Sequence, residues 1–470
     1  MTKPGGVSGS FRDPGGFVFE RDGRIFRVIT RHSLDDWNVF SSSELFRELD
    51  RDRLLIGTHP AGPASLPEGL EPDAQVVEHE RVPFVSYPYE WPFAMLKDAA
   101  LLTLELLERA LARDFVLKDA TPYNVQFVGS RPVFIDVLSF ARYREGEPWA
   151  GYNQFCKMFL YPLMLQAYRR IPFHSWLRSE LEGIDPLTFS RLLSLRDRMR
   201  PGVLTHVQMH AWLQQRLAAD PTSVRGEIRQ ARLPKQAIVK NVRGLRRLVE
   251  RLHSAEEKTV WAEYEHTCSY SDAARQQKEE FVREAVAARR PQLVWDVGAN
   301  VGRFSRIATE RAGYVAAMDA DAASIDLFYR QLRKERAENI LPLVMNLANP
   351  SPDQGWQGRE RRSLLARGKP DLILALALIH HVRIGANIPV ESFLAWLATM
   401  ESPLVIEFVS KDDARVKQLL LNKDYTYDDY NRAGFEACLA RHFRLERSQS
   451  LEGGTRVLYF AHPISAGDRA

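Results

Sequence analysis

The stretch LVWDVGANVGRFS, residues 293–305, carries Gly298, Asn300 and Gly302 directly after an apolar run broken only by Asp296. It reads as a buried strand turning sharply into a helix. Glycine serves where backbone must approach a ligand or take positive φ, and Asn300 is a residue type that tolerates the left-handed region. A turn of this kind offers backbone N–H groups and the positive end of a helix dipole. Its spacing then discriminates among ligands. A dinucleotide fingerprint runs G-x-G-x-x-G, whereas this turn runs G-x-N-x-G. No Lys-Ser or Lys-Thr follows it, which disfavours a triphosphate loop. Asp319, in AAMDAD, comes 21 positions after Gly298, where a carboxylate can accept from both hydroxyls of a ribose. Asn346, in VMNLA, would face an adenine edge.

Two further groups of residues could do chemistry. LIHHV places His380 and His381 just after an apolar run, and histidine near its ordinary pKa is suited to proton transfer. Neighbouring residues at a strand end point to opposite sides, so one of the two is expected to face the site, with Glu407 behind. Nearer the N-terminus, FVLKDATPYNVQFVGSRPVFIDVLSF holds Asp119, Asn124 and Asp136 around a short hairpin. Its plainest reading is an accessory domain in which Asp119 caps a turn and Asn124 holds backbone.

The elements that must position these residues follow from pattern. From 293 onward strand-like and helix-like segments alternate: LVWDVGA, YVAAMDAD, ILPLVMNLA, PDLILALAL, SPLVIEFV, then FRLERSQSLE paired with TRVLYFAHP. That alternation argues a parallel sheet covered by helices, ending in an antiparallel hairpin. Residues 17–90 alternate short β-like pieces with turn-rich joins, residues 91–115 repeat apolar positions at helical spacing, and residues 148–218 read as helices broken by Pro172, Pro186 and Pro201. Residues 225–251 carry nine Lys or Arg against Glu227 and Glu250, the composition of a solvated helix linking two domains. The segment WAEYEHTCSYSDAARQQKEEF supplies Trp261, Tyr264, Tyr270 and Lys278, which would cover a ligand or pack the first helix onto the sheet.

At 470 residues the chain has room for two or three domains. Its 64 basic and 60 acidic residues leave a net charge of +4, too slight by itself to argue a nucleic-acid partner, and none is expected. Cys156, Cys268 and Cys438 lie far apart and form no metal spacing, as suits a reducing compartment. The first residues, rich in Gly, Ser and Pro, lack the apolar core of a signal peptide, and LILALALI, 372–379, is far too short to span a bilayer. A cytoplasmic protein with no membrane span is expected.

Taken together, DVGANVG, AMDAD, VMNLA and PDLILALALIHHV resemble the class I S-adenosylmethionine-dependent methyltransferases over about 256–465. The resemblance implies a Rossmann-like α/β domain at 256–470 with a seven-stranded, mostly parallel sheet and an antiparallel C-terminal hairpin, and S-adenosyl-L-methionine as cofactor. By position, Asp296, Gly298, Asn300 and Gly302 would surround its methionine end, Asp319 its ribose, and Asn346 with Leu347 its adenine. A middle glycine is usual where Asn300 stands, and an aspartate where Asn346 stands. The implied reaction is methyl transfer to a small-molecule, glycan or protein acceptor, with His380 and His381 as candidate bases. The alternatives are a non-catalytic sensor or scaffold that binds the same cofactor, and a phosphotransferase in the N-terminal half.

The last alternative rests on a second resemblance. Residues 86–140 resemble the catalytic loop of protein-kinase-like and aminoglycoside-phosphotransferase-like folds, with Asp119 as base and Asn124 and Asp136 as Mg²⁺ ligands. Leu117 stands where that pattern has histidine, Val-Leu follows Asp136 where Phe-Gly is usual, and Arg27 takes the place of the nucleotide-loop lysine. On this reading a β-rich region at 1–90 and a helical region at 91–224 form an α+β N-terminal domain, joined by a basic linker at 225–255 to the domain at 256–470.

Overall fold

A computed structural model describes residues 9–62, 70, 73–219, 233–254, 271–421 and 423–464. Trp261, Tyr264, Tyr270, Cys268 and residues 225–232 of the basic stretch lie outside them. The chain divides into two compact units. One comprises Met1–Phe127, Pro132–Glu256 and Gln354–Arg361, and the other Val128–Arg131, Glu257–Asp353 and Arg362–Ala470.

The second unit is built on a seven-stranded sheet. Its strands are β9 (Leu293–Val297), β10 (Tyr314–Asp319), β11 (Ile340–Val344), β12 (Leu372–Ala375), β13 (Leu404–Val409), β14 (Phe443–Ser450) and β15 (Arg456–Pro463), in the order β11-β10-β9-β12-β13-β15-β14. β9 to β13 run parallel, while β15 is antiparallel to both β13 and β14. The last strand therefore inserts inside the sheet, and β14 forms the edge. Central parallel strands are covered on both faces, hence their near-continuous apolar runs. Val294, Val315, Leu372, Leu374 and Val405 form one core with Phe281, Val282 and Val286 of helix Asp272–Arg289 and Phe328 and Leu332 of helix Ala322–Glu335. From β9 the chain passes to β10 and β11 on one side, then returns to β12 and β13 on the other. The reversal leaves a crevice at the strand ends beside β9, where ligands of open α/β sheets bind.

The first unit holds a four-stranded sheet of β1 (Gly16–Arg21), β2 (Arg24–Ile29), β3 (Thr58–Pro60) and β4 (Gln75–His79), in the order β1-β2-β4-β3. The short strands β5 (Phe115–Leu117), β6 (Val125–Val128), β7 (Arg131–Phe134) and β8 (Phe140–Arg142) follow in the chain, β5 pairing with β8 and β6 with β7. Two helices, Arg31–Ser42 and Glu44–Arg51, stand between β2 and β3. The expected β-rich reading of 1–90 missed them. Buried Trp37, Phe40, Leu45 and Leu49 give the apolar spacing, and the Ser43 side chain caps the second helix by accepting from the Phe46 N–H. Helix Phe93–Ala112 is buried along most of its length.

The described part of the basic stretch is not a linker. Residues Lys235–Glu250 form a helix of the first unit whose Ile238, Val242, Leu245 and Val249 are buried at helical spacing, while Arg243 and Arg246 pair with Glu108. Its positive charge lies on the outer face of a docked amphipathic helix.

Candidate functional site

Four parallel strands of the second unit end at one cleft of about 460 Å³. Gly298 and Asn300 after β9, Asp319 and Asp321 at the end of β10, Asn346 and Leu347 after β11, and His380 and His381 after β12 all line it. Four strand-end segments of the sequence reading thus converge, and seven of the nine residues it assigned to catalysis and cofactor contact face the cleft.

Asp296 and Gly302 do not. Asp296 is almost wholly buried beneath the turn and accepts from Ser305 Oγ at 2.6 Å, so it holds the first turn of helix Arg303–Ala308 onto β9. Burial pushes its carboxyl up to about 6, against the opposing Ser305 hydrogen bond. Gly302 has φ +81°, and a Cβ there would meet Cζ of Phe328 at 1.9 Å. It is glycine because the turn closes onto the Phe328 ring, not because a ligand approaches.

The turn also differs from an anion cradle. The N–H groups of Gly298 and Ala299 both donate to Met318 O, at 2.8 and 3.0 Å, and that of Gly302 donates to Ala299 O at 2.8 Å. Val301 N–H donates to Asn300 Oδ1 at 2.7 Å, and Asn300 N–H to Asp319 Oδ2 at 2.8 Å. Every N–H from 298 to 302 is committed inside the fold. A ligand meets this turn through acceptors, which suits a cation or a hydroxyl-bearing group and not a phosphate. The expectation that the turn supplies backbone donors to the ligand is corrected accordingly. Asn300 sits at φ +50°, the left-handed conformation foreseen for it.

Asp319 receives a second backbone bond, from Asp321 N–H to Oδ1 at 2.9 Å. Burial raises its pKa, and the hydrogen bonds from the Asp321 and Asn300 N–H groups oppose that rise. Asn346 Oδ1 accepts from Ala348 N–H at 2.9 Å. One lone pair of that oxygen is spent on the turn, and a second lone pair and the amide donors remain for a ligand edge.

The strand β12 stops at Ala375, and the chain turns through Ala377 at φ +51° into a helical turn that includes His380 and His381. Because the pair lies on that turn and not on a strand end, both histidines line the cleft, with ring centroids 4.2 Å apart at 39°. His380 is buried and its Nδ1 has no hydrogen-bond partner among the described residues. Burial, with nearby His381 and Arg456, drives its pKa well below the ordinary histidine value; burial also lowers His381, to about 4. Both imidazoles are neutral at pH 7.

Glu407 is not free to assist them. Its carboxylate is fully buried between Lys278 Nζ at 2.6 Å and Arg456 Nη1 at 3.1 Å, and Arg456 Nε reaches Asp413 Oδ2 at 2.8 Å. Burial alone would raise its pKa, but the two cations hold it down at about 2. The chain of charges ends at Asp413, whose Oδ1 caps helix Ala414–Leu420 and accepts from the Arg415 N–H. Arg415 lines the cleft. The sequence reading missed it, although an Asp followed two residues later by Arg, just after the fifth strand, was the available signal.

In the first unit, Asn124 and Asp136 come together, as the second resemblance requires. Asp136 Oδ1 accepts from Arg27 Nη1 at 2.8 Å, and Oδ2 accepts from Ser139 Oγ at 2.7 Å and Asn124 Nδ2 at 3.5 Å. Burial, and then Asp136, raise the pKa of Asp119. A guanidinium thus already pairs with the Asp136 carboxylate.

Over 459 aligned residues the chain is 36% identical to the nodulation protein NoeA of Rhizobium meliloti (strain 1021), with 97% of this chain and 96% of that one covered. The chain belongs to the family of the nodulation protein NoeA. No protein-family model matches it. Among solved structures, N-methyltransferase NodS from Bradyrhizobium japonicum WM9 is similar at 10% identity and TM-score 0.32, covering 41% of this chain and 99% of that chain. The PH0226 protein from Pyrococcus horikoshii OT3 is similar at 15% identity and TM-score 0.32, covering 43% and 98%. In this member of the NoeA family the second unit is a Rossmann-like α/β fold with a mostly parallel sheet.

Proposed function

We propose that the second unit binds S-adenosyl-L-methionine and transfers its methyl group to a small-molecule or glycan acceptor. The observation that carries this reading is the cleft beside β9, whose glycine turn has spent its donors and meets a ligand through acceptors. Asp319 would accept from the ribose hydroxyls, and Asn346 and Leu347 would lie along the adenine. Gly298 and Asn300 would bring carbonyl and amide oxygens to the ammonium end. The cofactor supplies an electrophilic methyl on a sulfonium, open to direct displacement by a nucleophile.

What remains for the protein is alignment, exclusion of water and one proton. Leu376, Ala377, Leu378 and Val382 give the cleft its apolar wall beside the histidines. As the acceptor oxygen or nitrogen gains the methyl, its proton becomes acidic and passes to a neutral imidazole. His381, the less buried of the pair, takes that part, and His380 packs against its ring. A weak base suffices, because the proton leaves an already methylated atom.

The experiment is to incubate the full-length chain with methyl-labelled cofactor and fractionated cell extract. Label entering a fraction with the wild type and not with Asp319→Ala supports the reading. No transfer to any fraction, with binding intact, favours a cofactor-binding sensor or scaffold, a reading the low basicity of both histidines also suits. Phosphotransfer by the first unit finds no support in the Arg27–Asp136 pair, and a nucleotide-binding assay with Mg²⁺ tests it separately.

A further inference from the structure

The first unit exposes an unusual run of apolar surface. Of the fifteen exposed large apolar or aromatic side chains among the described residues, five fall within 18 consecutive positions: Leu195 (79% exposed), Met199 (86%), Leu204 (66%), Met209 (57%) and Trp212 (55%). Leu195 and Met199 are one turn apart, at the start and just past the end of helix Leu195–Arg198. The Met209 N–H donates to Leu204 O across a π turn, which stacks Met209 over Leu204, and Trp212 follows three residues on along helix Met209–Ala219. The opposite face is fixed inward. Val203, Val207 and Ala211 are buried, Tyr152 Oη is 2.8 Å from His206 Nδ1, and Tyr161 Oη is 2.7 Å from His210 Nδ1. Rotating Leu204, Met209 and Trp212 out of water would break both hydrogen bonds.

Charge completes the pattern. Between Pro186 and Ala219 the sequence has five arginines and a single acid, Asp197. Asp197 is buried and tied to Arg169 at 3.1 Å and Arg200 at 3.1 Å, so the exposed surface of this segment carries cations alone. Arg191, Arg196 and Arg198 are exposed, and the Arg216 guanidinium lies 5.0 Å from the Trp212 ring centroid. Apolar side chains interleaved with arginines, with a tryptophan among them, match the headgroup region of an anionic bilayer. Such side chains left in water are costly on a soluble protein.

We propose that this face, from Leu195 to Trp212, seats the protein on an anionic membrane surface. It lies on the bilayer without crossing it; no described helix is long and apolar enough to cross. The seat uses no residue of the methyl-transfer cleft.

The test is sedimentation of the full-length chain with vesicles of phosphatidylglycerol and phosphatidylcholine, against phosphatidylcholine alone. The wild type is expected to bind the anionic vesicles, with binding weakening as salt screens the arginines. Met199→Gln with Trp212→Gln should lower the partition coefficient by about tenfold, with an unchanged melting temperature showing that the fold persists. Absence of binding to anionic vesicles, or binding that the double variant leaves unchanged, overturns the proposal. So does a concentration-dependent dimer in light scattering that the double variant abolishes, which would make a second copy of the chain the occupant.

Discussion

The Asp319 carboxylate accepts from the Asn300 backbone N–H at 2.8 Å, and so joins the glycine turn after β9 to the end of β10 through one side chain. The same carboxylate accepts from Asp321 N–H. Two backbone N–H groups thus fix the carboxylate, which lines the cleft. Asp319→Asn would set an amide donor against one of these two N–H groups. Its affinity for S-adenosylmethionine is expected to fall by at least about tenfold, as for loss of a hydrogen bond to a charged group. Titration of the purified variant against wild type measures this.

The two glycines at the ends of the turn should behave differently. At Gly302 a Cβ overlaps the Phe328 ring and the backbone has φ +81°, so Gly302→Ala should cost stability by about 2–4 kcal/mol. At Gly298 the nearest atoms to a Cβ are 3.6 Å away, although φ is +93°. Gly298→Ala should lose only about 1–2 kcal/mol while placing a methyl in the cleft and weakening ligand binding. Denaturant melts beside binding isotherms separate the two effects.

Transfer should be insensitive to pH over the range where most histidine-dependent enzymes titrate. His381 is held at about 4 and His380 lower still by burial, so both are already neutral at pH 7. The histidine-dependent part of the rate should stay flat down to about pH 5 and fall only as His381 gains a proton near 4. His381→Ala is expected to lower single-turnover transfer by about 10²–10⁴-fold with cofactor affinity nearly unchanged. A rate that titrates near 6.5 would assign the proton to another group.

Two buried carboxyls give stability opposite slopes with pH. Glu407 is depressed to about 2 by Lys278 and Arg456. It contributes stability above its unfolded value of about 4.3, and this is lost as pH falls toward 2. Asp296 is raised to about 6 by burial. Its unfolded form releases the proton first, so stability falls as pH rises from about 4 to 6, by up to about 3 kcal/mol. Asp296→Asn should flatten that second slope. Glu407→Gln should cost about 3–5 kcal/mol at neutral pH, because Lys278 and Arg456 lose their shared partner in the core. Chemical denaturation across pH 3–8 reads both.

Much of the second unit was legible because buried parallel strands announce themselves as apolar runs and their ends carry the polar residues. All seven strands and the convergence of Gly298, Asp319, Asn346 and His381 follow from that pattern. What was not legible depends on contacts distant in sequence. That Gly302 serves Phe328, that Asp296 serves Ser305, and that Glu407 is consumed by Lys278 and Arg456 are facts of packing. The turn at Ala377, which swings both histidines to one side, has no glycine or proline to mark it. In the first unit, helices Arg31–Ser42 and Glu44–Arg51 were hidden because each is short, and Lys235–Glu250 because its charge masks a buried stripe of Ile238, Val242, Leu245 and Val249.

The central claim is that the cleft beside β9 holds S-adenosylmethionine, and calorimetric titration of the full-length chain tests it most directly. The account predicts saturable one-site binding that Asp319→Ala abolishes while the variant keeps its far-ultraviolet spectrum and a cooperative melt, at a temperature lowered by the loss of its two backbone hydrogen bonds. No heat of binding from the intact wild type, or equal binding by the Asp319 variant, would contradict it.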